Sequence, residues 1–144
     1  DFNARFKAKS RVYRYRIFLG KSAILRKLVW EVFQPLDIKK MKQGLKIIKG
    51  YHNFSRFGKK NEDLHNNRCE ILKTKCEVKR NKVTFEIEAN RFLRGMVRSI
   101  VGTLTEIGRG NLGIAEFGKM IAGESRKATK KAPACGLYLV KVKY

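Results

Sequence analysis

Residues 82–89, KVTFEIEA, alternate strictly, with Val83, Phe85, Ile87 and Ala89 on one side and Thr84, Glu86 and Glu88 on the other. A period of two predicts a strand with one buried apolar face, and the acidic face is expected to point to solvent. Immediately upstream, residues 69–79, CEILKTKCEVK, are also β-like. Only Arg80 and Asn81 separate the two runs, so they read as a hairpin.

Downstream the period changes. Over residues 91–107, Leu93, Met96, Val97, Ile100, Val101, Leu104 and Ile107 form the apolar stripe of a core helix. On that helix Arg91, Arg94 and Arg98 fall within an arc of roughly 60° beside the stripe, an edge able to follow phosphates. The same three arginines read equally well as a solvated flank with one internal ion pair. Gly108 and Gly110 end the run, Ile114, Phe117 and Ile121 mark a shorter helix, and residues 126–131 form a basic loop.

Working back toward the N-terminus, Asp37 is placed to cap a helix carrying Ile38, Met41, Leu45 and Ile48 along one face, with Gly50 as its stop. Residues 28–33 read as a short strand, and residues 58–67 as a polar turn segment. In residues 11–18, RVYRYRIF, Tyr13, Tyr15 and Ile17 share one face and Arg14 and Arg16 the other, giving a strand with a basic back. Residues 137–144 close the chain as a strand with Tyr138, Val140, Val142 and Tyr144 on one face and Leu137, Leu139, Lys141 and Lys143 on the other. Strands interleaved with helix-bearing connections predict an α+β fold, mainly an antiparallel sheet with helices packed on one face.

The 144 residues suit one domain with a continuous core. Against 12 acidic residues stand 34 lysines and arginines, a net +22 that exceeds what solubility needs and points to a polyanionic partner. A thermophilic or lysine-rich proteome, or a ribosome-associated tail, would give the same balance. The basic residues are scattered among apolar ones rather than gathered on one amphipathic helix, which argues against a membrane surface. No run approaches a spanning helix and residues 1–5 lack a signal-peptide core, so a cytoplasmic location is expected. Cys69, Cys76 and Cys135 show no CxxC pairing and no histidine at zinc spacing, and they read as buried free thiols with no metal. No Ser/His/Asp set, P-loop or metal cluster is present, so pattern alone stops at a basic, RNA-binding α+β domain.

Four stretches carry more. FNARFKAKSRVYRYRI from Phe2, GYHNFSRF from Gly50, FLRGMVRSIVGTLTEIGRG from Phe92 and APACGLYLVKVKY from Ala132 span nearly the whole chain. In that order they resemble the C-terminal half of TruA-type tRNA pseudouridine synthases. The resemblance implies one half of the pseudouridine synthase fold, tRNA as substrate, a homodimer, and no cofactor or metal. It implies conversion of uridine to pseudouridine in the anticodon arm, at tRNA positions 38, 39 and 40. An aspartate attacks the nucleoside, the glycosidic bond breaks, the uracil turns, and a carbon–carbon bond forms at C5.

By the same resemblance Tyr13 matches the active-site tyrosine that packs on the target base and is placed to assist proton transfer. Arg98 matches the arginine that pairs with the catalytic aspartate, and Leu137 the apolar wall opposite the tyrosine. Asn3, Arg5 and Phe6 lead into the active-site strand without assignable roles. Arg14, Arg16, Arg91, Arg94, Arg126, Lys127, Lys130 and Lys131 are the candidate RNA contacts. The family's aspartate lies in a GRTDAGVH-like segment that nothing here resembles, and Asp1, Asp37 and Asp63 stand in other contexts. The expectation is therefore a C-terminal domain over residues 1–144 that is inactive alone and needs the N-terminal half as partner. Two alternatives are a non-catalytic RNA-binding module and a dimerisation scaffold.

Overall fold

The computed structural model describes residues 8–23, 27–59 and 66–144. Asp1, Asn3, Arg5, Phe6 and Asp63 lie outside them.

The fold is α+β: a mixed, mostly antiparallel sheet of six strands and three α-helices. The strands are β1 (Ser10–Leu19), β2 (Trp30–Val32), β3 (Gly50–Asn53), β4 (Arg68–Lys79), β5 (Lys82–Ala89) and β6 (Leu137–Lys143). The helices are α1 (Ile38–Ile47), α2 (Met96–Gly108) and α3 (Ile114–Ala122), and a single 3-10 turn, Ala134–Gly136, precedes β6. The order is β2-β1-β5-β4-β3. The β6 strand pairs with β1 over Ser10 to Tyr15, and β2 pairs in parallel with Ile17 to Leu19, so both occupy the edge of β1 away from β5.

The hairpin forms as its alternation predicts, with Lys79 opposite Lys82 and a two-residue turn in which Arg80 takes a left-handed φ of 56°. Tyr15, Ile17, Phe85 and Ile87 point into the layer formed by Met41, Leu45, Ile100, Leu104 and Phe117, one continuous core. Asp37 caps α1 by accepting from the Lys40 amide at 3.1 Å.

The structure corrects several expectations. The core helix starts at Met96 rather than Arg91, because Gly95 adopts a left-handed φ of 76° that a continuing helix cannot contain. Arg91 and Arg94 therefore leave the helix, and the three-arginine edge does not exist. Arg94 instead exchanges backbone hydrogen bonds with Lys59, at 2.8 and 3.0 Å. The strand expected over residues 28–33 shortens to three residues, leaving Leu28 and Phe33 exposed. Gly50 does not merely stop α1 but opens β3, a strand the sequence reading took for no element.

The face assignment of β6 fails beyond Leu139. A register shift opposite Val12 and Tyr13 puts Leu137 and Leu139 across from Tyr15 and Tyr13, but Lys141 and Lys143 across from Val12 and Ser10. Paired residues share a face, so the bulge turns the two lysines to the outer side. The acidic face of β5 is not simply solvated either: Glu88 is buried. Of the three thiols only Cys69 is buried; Cys76 is half-buried and Cys135 exposed.

Gly102 lets the segment before β6 cross α2 at backbone contact. A methyl group there would sit 2.2 Å from the Lys130 carbonyl oxygen and 2.7 Å from the Ala132 nitrogen. Gly102→Ala is expected to lower stability by about 1–3 kcal/mol, the range for overpacking a close contact. Urea unfolding checks this; an unchanged midpoint would show that the crossing is not tight.

Candidate functional site

Strand β1 presents Tyr13 and Tyr15 on the helix side of the sheet, and the two differ sharply. Tyr15 is fully buried and its hydroxyl donates to the Pro133 carbonyl at 2.5 Å. Burial pushes that phenol far above its usual pKa, the Cys135 thiol adds to the shift, and the Arg98 charge opposes it. It is a structural tyrosine. Tyr13 is only partly buried and meets Phe92 edge-to-face at 4.9 Å.

Arg98 lies in the first turn of α2. Its Nε donates to the Ala132 carbonyl at 2.8 Å, while the Ala132 amide donates back to the Arg98 carbonyl at 2.9 Å. Thr103 holds the same segment by accepting from the Lys130 amide at 3.2 Å. Five residues beyond Ala132, Leu137 begins β6 opposite Tyr15.

Leu139 is the direct partner of Tyr13, which makes Leu137 its diagonal neighbour on the same face. Tyr13 and Leu137 thus share the helix side of the β1–β6 pair. Arg98 is tied to that side through Ala132 and through its electrostatic effect on Tyr15.

The basic candidates divide. Arg14 lies on the outer face, where its Nε and a terminal nitrogen both donate to one Glu86 carboxylate oxygen at 2.8 and 2.6 Å. Arg16, on the same face, stacks over Tyr138 at 5.1 Å. Arg91 donates to the Arg68 carbonyl at 2.6 Å and to Asn66, bracing the start of β4. Arg94 and Lys131 are exposed beside the N-terminus of α2, with the Lys131 amine against Gly95. Arg126, Lys127 and Lys130 are exposed in the loop that leads to Ala132. Sequence reading missed Phe92 and the Tyr15–Pro133 link. The first lay within a quoted motif without a role, and the second required tertiary proximity.

Residues 45–144 match the family model described as tRNA pseudouridine synthase. The chain belongs to that family. It is 40% identical over 147 residues to tRNA pseudouridine synthase A of Bacteroides fragilis, covering 100% of this chain and 58% of that protein. The tRNA pseudouridine synthase A of Acetivibrio thermocellus is likewise 40% identical, covering 100% of this chain and 60% of its own length. That of Acinetobacter baylyi is 38% identical over 149 residues, with 100% and 54% covered. The chain thus spans between 54% and 60% of these pseudouridine synthases. Among the described residues no helix is long and apolar enough to cross a membrane.

Behind the site the outer face carries a charge ladder. Glu88 accepts from Ser10 at 2.7 Å and meets the Lys143 amine at 3.1 Å. The Ser10 hydrogen bond first, and the Lys143 contacts next, hold its carboxyl below the ordinary glutamate value. A depressed folded pKa contributes stability above the unfolded value, about 4.3, and that contribution is lost as pH falls through the folded pKa. Unfolding midpoints of the unmodified protein should therefore drop more steeply below about pH 4.3 than those of Glu88→Gln. Parallel curves would show the carboxylate to be unimportant.

Proposed function

We propose that this chain is the C-terminal, uracil-holding half of an enzyme that isomerises uridine to pseudouridine in the anticodon arm of tRNA. The single observation that carries the reading is the placement of Tyr13, Leu137 and the anchored Arg98 on one side of the β1–β6 pair. Family membership supplies the reaction class.

The nucleotide leaves its stack, and its base enters between the Tyr13 ring and Leu137. Those walls keep the detached uracil from escaping while it turns to present C5. With Nε committed to Ala132, Arg98 offers its terminal nitrogens to the nucleophilic aspartate, keeping the carboxylate ionised and aimed. Tyr13 is placed to assist the proton transfer from C5 that completes the product. No metal or redox partner takes part in this sequence of steps.

The aspartate comes from the remainder of the protein in this proposal. Two observations support that division: the chain spans under two thirds of its relatives, and β6 pairs with β1 along one edge only among the described residues. Leu139 and Val140 are exposed on that strand, an edge that a further strand would cover. The exposed cations Arg94, Lys127, Lys130 and Lys131 add a salt-dependent phosphate-binding contribution, and a cytoplasmic location accompanies a tRNA substrate. The homodimeric state enters this proposal on the resemblance alone.

In a protein carrying both halves, Arg98→Ala is expected to slow pseudouridine formation about a hundred- to a thousandfold, the usual loss for one positioned electrostatic group. The Kd for tRNA should stay within about twofold. Full activity in Arg98→Ala would remove the proposed partner of the aspartate.

A further inference from the structure

The GYHNFSRF motif has no part in the uracil site. It forms β3 and the turn after it, at the far edge of the sheet. Three inter-strand steps separate β3 from β1, about 14 Å at the usual spacing.

On that edge Tyr51 is 57% exposed, an unusual position for a large aromatic ring. Arg68 stacks on it at 5.7 Å from the ring centre. Tyr51, Arg68, Asn53 and Arg56 line a hollow of about 530 Å³, closed on one side by the C-terminus of α3. Arg56 also lines a second hollow of about 470 Å³ together with Lys127 and Thr129. The two hollows share Ser55 and Arg56 in their walls, and the Thr129 hydroxyl donates to the Arg56 carbonyl at 3.3 Å. Among the described residues none of Arg56, Arg68 and Lys127 forms an ion pair.

A largely exposed aromatic ring, a guanidinium stacked on it and two further cations without ion pairs among the described residues match what single-stranded RNA presents. A base has a π-face for the ring, and its flanking phosphates meet the cations. Apart from the ring and Ile121 and Ala122 at the end of α3, the lining is polar, which does not suit an apolar ligand. Glu70 stands opposite Tyr51 across the β3–β4 pair and repels a phosphate at that end, which directs the backbone toward Arg56 and Lys127.

We propose that Tyr51, Arg56, Arg68 and Lys127 form a second RNA subsite, separate from the uracil pocket, that stacks one unpaired nucleotide of the substrate tRNA and grips its flanking phosphates. The choice of tRNA as ligand rests on the function proposed above. The subsite fixes where the RNA lies rather than what is done to it, so the chemical step does not depend on it.

The test is equilibrium binding of a tRNA transcript, and of a fully paired RNA duplex, to a protein carrying both halves. Tyr51→Ala should raise the Kd for tRNA about tenfold, the effect of one lost base stack, and leave the duplex Kd within about twofold. Tyr51→Phe should retain tRNA affinity, because the ring and not the hydroxyl is used. Arg56→Ala and Arg68→Ala should each reduce the salt dependence of binding by about one phosphate contact. An unchanged tRNA Kd in Tyr51→Ala overturns the subsite, as does an equal loss for duplex and tRNA. If a protein carrying both halves binds tRNA without isomerising it, the catalytic reading alone fails. If a protein carrying both halves binds no tRNA, both fail.

Discussion

Arg98 and Ala132 hold each other by two hydrogen bonds, side chain to backbone in one direction and backbone to backbone in the other. A hydrogen bond from a charged donor contributes about 1.5–3 kcal/mol when its partner is in place. More depends on this pair than that figure suggests. It fixes the segment that crosses α2 over Gly102, brings the Pro133 carbonyl to the buried Tyr15 hydroxyl, and determines where β6 begins. The guanidinium is oriented by the same contact that positions the apolar wall. A helix residue and a strand residue remote in sequence are thereby held to one geometry, without a direct bond between them.

The outer face of the sheet obeys a different logic. Acidic β5 lies beside β1, whose Arg14 meets Glu86, and Lys143 reaches Glu88 from β6, one strand further on. Much of the chain's positive charge on that face is locally balanced. Among the described residues, exposed cations without such partners gather instead on the turns around the start of α2 and beyond β3, including Arg56, Arg94, Lys127 and Lys131. A net charge of +22 says that a polyanion is the partner, but only the pairing pattern says which surface faces it.

Much of the architecture was legible because alternation and helical period are local properties. The β4–β5 hairpin, the capped α1 and the one-sided face of β1 follow from neighbouring residues alone. What failed was non-local. The stripe from Leu93 to Ile107 continues across Gly95, and nothing in its period reveals that Lys59 captures the Arg94 backbone. The β6 bulge is set by pairing with β1, so strict alternation misplaced Lys141 and Lys143. Burial of Glu88 arises from partners 78 and 55 residues away. Tyr13, Arg98 and Leu137 were found by resemblance, since no spacing rule links them. The structure sets Tyr13 and Leu137 on one face and ties Arg98 to their side, while the roles assigned to them remain the proposal.

The most direct measurement is a structure of a protein carrying both halves, bound to an anticodon stem-loop with its target uridine. The account predicts a splayed-out uracil between the Tyr13 ring and Leu137, with a carboxylate from the other half within hydrogen-bonding distance of the Arg98 terminal nitrogens. A uracil bound away from these side chains, or an Arg98 facing no carboxylate, would contradict it.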